Sequence, residues 1–223
     1  NLIWGNKSAI LVGDYLFSLS FKLMTKDESL DILRVLSESS KKIADGEILQ
    51  LTKFKNIRLS IKDYIKVISF KTAALFSSSL EVGAIITNQN QDKRMILREF
   101  GNNLGVAFQI MDDVLDYKAT TEDIGKYIGD DFAERKVTLP IILLYQEASM
   151  EDKKNIEDIF KNNDDSDVVF RQVLELMKKY CALDMALDMA HVFQKKAISG
   201  LNLLPDNKER QILEDITAEC VKK

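Results

Sequence analysis

The chain of 223 residues is 46% hydrophobic and 30% charged, which supplies ample apolar material for one large soluble domain. Lys+Arg 31 against Asp+Glu 35 gives a net charge of -4, and this mildly acidic balance argues against nucleic acid as a partner, although local clusters can still hold an anionic ligand. Two Pro and nine Gly are few breakers for this length and favour long helices over a many-stranded fold.

The sequence opens at Asn1, without Met, inside a strongly patterned segment, so this is not expected to be the natural start of the gene product. A first helix is expected over residues 6–24, with Ile10, Leu11, Tyr15, Leu16, Leu19 and Leu23 at three- and four-residue spacing. A second helical region spans 28–51, with Gly46 expected as a local break. Ser60 reads as an N-cap, with Asp63 three residues on, before a helix continuous to about residue 87. A long helix follows over 92–117. Gly125 and Gly129 then suggest an interrupted stretch, and Thr138 reads as a cap with Pro140 in the first turn behind it. The tail reads as amphipathic helices separated at 162–167 and 204–207. Residues 1–223 are thus read as a single all-α domain.

Several features carry no chemistry. Cys181 and Cys220 show no metal or redox spacing and suit a reduced, cytoplasmic chain. Asn6-Lys7-Ser8 fits a glycosylation acceptor by chance, because no signal peptide is visible, and no uncharged apolar run reaches the roughly 18 residues of a membrane span. His191, the Met185/Met189 pair and Trp4 read as ordinary helix or packing residues.

The stretch FQIMDDVLDYKA, residues 108–119, is different. On a helical wheel Asn102, Gly105, Gln109, Asp112, Asp113 and Asp116 fall within roughly a 100° arc, on a helix otherwise apolar nearly all round. Such a stripe is expected to face an interior cavity. Ionised carboxylates there repel one another unless a cation meets them, and an all-oxygen set without His or Cys indicates a hard ion, Mg2+ most naturally. The competing reading is a solvent-exposed acidic face. Lys126 and Lys136 flank GDD at 129–131, and Lys71 interrupts the uncharged VISFKTAALF; Lys71 either snorkels to the surface or points into the same cavity.

In this order KTAALF (71–76), GVAFQIMDDVLDY (105–117), DIGKYIGDD (123–131) and ERKVTLP (134–140), preceded by GNKSAILVGDYL (5–16) and DGEILQL (45–51), resemble the successive signatures of the trans-isoprenyl diphosphate synthase family. The resemblance covers almost the whole chain, and the wording is nearest to bacterial long-chain members. It implies an isoprenoid-synthase-type helical bundle around a central cavity, and head-to-tail condensation of isopentenyl diphosphate with an allylic diphosphate. By position, it places Asp112 on Mg2+ directly, and Asp113 and Asp116 directly or through water. Lys71, Lys126 and Lys136 would hold the allylic diphosphate. Thr72 and Gln109 would turn oxygen dipoles towards the carbocation, Phe108 would contact the isopentenyl substrate, and Gln50 would lie near the allylic pocket. A homodimer is implied, with 71–80 and 83–86 as interface candidates. A long polyprenyl product would suit a quinone side chain and transient membrane contact on release.

The sequence departs from the family pattern in one large respect. The first aspartate-rich motif with its paired arginines, and the upstream basic stretch for isopentenyl diphosphate, do not occur in it, and its last residues lack a C-terminal arginine. The segment is expected to hold about half of the active site and to be a poor catalyst alone. Two other readings compete. A catalytically weak subunit of a heteromeric synthase has no chemical need for the second motif and its lysines. A terpene cyclase is expected to carry an Asn/Ser/Glu metal motif in place of DDxxD on its second metal-binding helix.

Overall fold

The computed structural model describes residues 5–118, 129–162 and 166–222. The described residues form helices and turns, with no strand. None of these helices is long and apolar enough to cross a membrane.

Two helices open the chain, α1 (Gly5–Met24) and α2 (Leu30–Thr52). Ser29 caps α2, its hydroxyl accepting from Ile32 N at 3.3 Å. The sequence places a break at Gly46, but α2 runs through it. Gly46 is instead a contact point: a Cβ there would lie 2.7 Å from Lys71 N, so its missing side chain lets α2 touch the backbone that carries Lys71.

Ser60 caps α3 (Ile61–Ile68) as expected, accepting from Asp63 N at 3.0 Å. The helix expected to continue to residue 87 is interrupted by a π turn, Ser69–Ala73, before α4 (Ala74–Ile86). The turn holds Lys71 and Thr72. π turns inside helices recur at functional sites.

The long helix is α5 (Gln91–Lys118) and forms the centre of the bundle. Val106, Ala107, Ile110 and Val114 are fully buried. On one side α5 meets the π turn so closely that a Cβ on Gly105 would lie 2.6 Å from the Cα of Ala73. Further on come α6 (Asp130–Ala133), α7 (Leu139–Glu147), α8 (Met150–Asn162), α9 (Asp167–Lys179), α10 (Ala182–Leu201) and α11 (Lys208–Cys220). Helix α10 packs along α5 through Ala182, Ala186, Ala190 and Ala197, small residues that permit a close approach. The break between α9 and α10, where Cys181 takes φ +53°, has no Gly or Pro to announce it. Thr138 occupies the N-cap position of α7 with extended backbone, yet its hydroxyl makes no capping bond.

Helix α1 departs from its pattern. Its apolar stripe is unburied: no α1 residue is buried, and Ile10, Leu11, Tyr15 and Leu16 are more than half exposed. Within the interface candidates Ala73, Ala74, Ser78 and Ala84 are buried in the chain, whereas Leu75 and Ile86 are more than half exposed. Met185 and Met189 pack against the core as expected, and His191 is exposed beside Gln194. Trp4 lies outside the described residues.

Candidate active site

A cavity of about 270 Å³ opens between α2, α3, the π turn, α5 and the segment after α6. Gln50, Lys71, Thr72, Gln109, Asp112, Asp113 and Lys136 all line it, as do Lys53, Tyr64, Asp131 and Thr138. Three lysines and three aspartates therefore share one concave surface.

Each lysine is held by a partner that a ligand anion could replace. Lys71 Nζ donates to Gln50 Oε1 at 2.8 Å and meets Glu47 Oε1 at 3.1 Å. The π turn presents it there instead of letting it snorkel. Lys136 Nζ lies 3.1 Å from Asp131 Oδ1 and 2.7 Å from Glu134 Oε2. Burial alone would lower the pKa of Lys136, but these two carboxylates outweigh burial and raise it, so the ammonium stays charged. Lys53, at the C-terminal end of α2, pairs loosely with Asp63 at 3.6 Å.

The aspartates divide their work unequally. Asp112 is exposed to the cavity, with Gln109 Nε2 3.3 Å from Oδ2. Asp113 is buried: Oδ2 accepts from the Tyr64 hydroxyl at 2.6 Å and Oδ1 from Gln109 Nε2 at 2.8 Å. Asp116 does not line the cavity; its Oδ2 accepts from Asp131 N at 3.1 Å, and Gly129 N donates to its carbonyl, pinning the start of α6. The helical-wheel stripe is thus split. Asn102 lines a separate depression with Arg34, Lys42 and Arg98, and Gly105 is pressed against Ala73.

Burial raises Asp113 to about 7, against the hydrogen bonds from Tyr64 and Gln109 that favour its charged form. Burial likewise raises Asp116 to about 6, helped by the neighbouring Asp131 charge. Between an unfolded value near 4 and these values the metal-free native state binds more protons than the unfolded chain, so stability falls as pH rises through that window. The thermal midpoint of metal-free protein relative to Asp113→Asn is expected to drop between about pH 4 and pH 7, as titration melts would show. A flat difference would mean that Asp113 ionises freely.

The donor set suits a hard cation that arrives with phosphate. Among the described residues no three His, Cys, Asp or Glu side chains converge to hold a metal by themselves. Mg2+ does not need that: it keeps waters and takes one or two carboxylates together with substrate phosphates. Asp112, facing the cavity, fits as one such ligand.

A family model described as polyprenyl synthetase matches residues 1–177. The chain belongs to the polyprenyl synthetase family. It is 33% identical over 213 residues to octaprenyl diphosphate synthase of Haemophilus influenzae, covering 96% of this chain and 64% of that one. The corresponding synthase of Escherichia coli is 34% identical, over 96% and 66%. The chain therefore spans slightly less than two thirds of the length of these relatives. Among solved structures, a decaprenyl diphosphate synthase from Rhodobacter capsulatus superposes with TM-score 0.93 at 40% identity, covering 100% of this chain and 68% of that chain. A polyprenyl synthase from Caulobacter crescentus, solved with calcium and isoprenyl diphosphate, gives 0.95 at 38%, with the same coverage.

Within this polyprenyl synthetase fold, the sequence-derived candidates converge with two exceptions. Phe108 is 39% exposed and packs on Phe76, ring centroids 5.4 Å apart, away from the cavity lining. Asp116 braces α6, as above. Lys126 lies outside the described residues. The residues that sequence reading missed are Tyr64, Lys53 and Asp131. The only signals were the buried face of capped α3 for Tyr64 and the acidic pair after Gly129 for Asp131.

Proposed function

We propose that the protein is a trans-polyprenyl diphosphate synthase, a prenyltransferase that condenses isopentenyl diphosphate head-to-tail with an allylic prenyl diphosphate. The observation that supports this most is one cavity in which Lys71 and Lys136 present positive charge, Asp112 a carboxylate, and Thr72 and Gln109 neutral polar groups. In the reaction the allylic C–O bond breaks and its electron pair leaves with diphosphate. The isopentenyl double bond attacks the carbocation, and a proton is lost to restore a double bond. Lys71 and Lys136, with Lys126, hold the departing diphosphate; these fixed charges act where negative charge accumulates. Asp112 would hold Mg2+ from the cavity side, with Asp113 and Asp116 bracing the structure behind it, and the ion would supply further charge to the same diphosphate. Thr72 and Gln109 turn oxygen dipoles to the cation.

A long product for a quinone side chain is supported by the names of the octaprenyl and nonaprenyl relatives. Work in the cytoplasm with transient membrane contact suits so apolar a product. A homodimer is supported by the uncovered apolar face of α1. The test is turnover of the full-length protein with Mg2+, isopentenyl diphosphate and an allylic primer, with product length read by chromatography. Lys136→Ala is expected to raise the Kd for the allylic substrate about 10- to 100-fold, more than that for isopentenyl diphosphate, because one charge-assisted contact is lost. Diphosphate binding without any extension product would favour the weak-subunit reading.

A further inference from the structure

Tyr64 is fully enclosed on α3, one turn before the π turn, and its hydroxyl donates to Asp113 Oδ2 at 2.6 Å. The other carboxylate oxygen, Oδ1, takes Gln109 Nε2 at 2.8 Å. Asp113 thus has a donor on each oxygen and sits 4% exposed, whereas its neighbour Asp112 faces the cavity. A carboxylate only accepts, so it fixes which end of the Gln109 amide points towards it. Nε2 faces Asp113, and Oε1 is left towards Thr72, whose Oγ1 donates to it at 2.8 Å. The hydrogen bonds therefore run in one direction from both ends, Tyr64 to Asp113 and Thr72 to Gln109 to Asp113, and no member is free to turn without leaving a polar group unmet.

We propose that Tyr64 is a positioning residue that locks Asp113, and through it the Gln109 amide, so that Gln109 Oε1 stays turned to the cavity wall beside Thr72. The inference rests on the prenyl-synthase reading above. It assigns Asp113 the work of an anchor, with cavity-facing ligation left to Asp112. Removing the hydroxyl leaves Oδ2 without a donor in a buried place. Asp113 is then free to rotate towards another donor, and that movement lets the amide turn its NH2 towards the cavity. A cation in the cavity would feel that reversal of the dipole, and a neutral group of the same shape would not.

The test uses Tyr64→Phe in the full-length protein, which keeps the ring and deletes only the oxygen. Calorimetry compares two allylic diphosphate analogues in Mg2+, one with an ammonium nitrogen at the cationic position and one with carbon there. Wild-type protein is expected to prefer the ammonium analogue. Tyr64→Phe is expected to cut that preference about tenfold, the size of one hydrogen bond to a charged group, with the neutral analogue bound within about twofold of wild type. In an Asp113→Asn background the same Tyr64→Phe change is expected to have little further effect on the ratio, because the route runs through the carboxylate. An unchanged ratio, or equal weakening of both analogues, would overturn the inference and leave Tyr64 as packing. If wild-type protein binds neither analogue, the synthase reading falls first and this inference with it.

Discussion

Replacing Asp112 with Ala is expected to abolish Mg2+-dependent binding of a diphosphate while leaving the fold intact. Asp112 is the aspartate of the pair that faces the cavity, and the hydrogen bond it accepts from Gln109 Nε2, at 3.3 Å, is long. Nothing in the core depends on it. Its loss also removes a negative charge beside Asp113, and this relieves repulsion in the metal-free protein. The thermal midpoint is therefore expected to move by no more than about 2 °C, within the range of an ordinary surface substitution. Binding should behave differently, since the carboxylate that would share the ion with phosphate is gone. Isothermal titration of inorganic diphosphate with and without Mg2+, alongside a thermal melt, measures both. Mg2+-dependent binding that survives the substitution would place the ion elsewhere and reduce Asp112 to surface charge.

The second large effect concerns stability. Gly105→Ala is expected to lower it by about 1–3 kcal/mol, a drop of about 3–10 °C in Tm for a chain of this size. The added Cβ would stand 2.6 Å from the Cα of Ala73 and 2.9 Å from its Cβ. No rotamer change relieves this, because both atoms belong to or adjoin the backbone, so the two helices must separate. Ala73 ends the π turn that carries Lys71 and Thr72, and the same displacement is expected to weaken diphosphate binding. Gly83→Ala provides the contrast. Gly83 lies in α4, a Cβ added there would meet nothing within 4 Å, and ordinary helix propensity predicts a gain of about 0.5–1 kcal/mol. If both substitutions behaved alike, the close approach of the π turn to α5 would be in doubt.

Much of this was legible in the chain itself. The Ser60 cap, the span of α5 and the burial of its apolar residues follow from local spacing, because caps and periodicity are properties of a few adjacent residues. The site was legible in part. Lys71, Thr72, Gln109, Asp112, Asp113 and Lys136 do line one cavity. The wheel went too far in adding Asn102, Gly105 and Asp116 to the same face. A wheel treats the helix as isolated, whereas α4 and the π turn lie across α5: Gly105 meets Ala73, and Gln109 one turn later meets Thr72. A stripe that is continuous in sequence is divided by the element lying over it.

By itself, the sequence determined an all-α chain with a central helix carrying an aspartate cluster, together with a set of motifs in an order that marks the polyprenyl synthetase family. Those features rest on short-range spacing and side-chain chemistry. Only the tertiary structure decided that Gly46 and Gly105 are points of helix contact, that a π turn swings Lys71 into the cavity, and that Tyr64 meets Asp113 across 49 residues of sequence. Each depends on how closely and at what angle two helices meet. That is set by the packing of side chains distant in the chain, which no local pattern records.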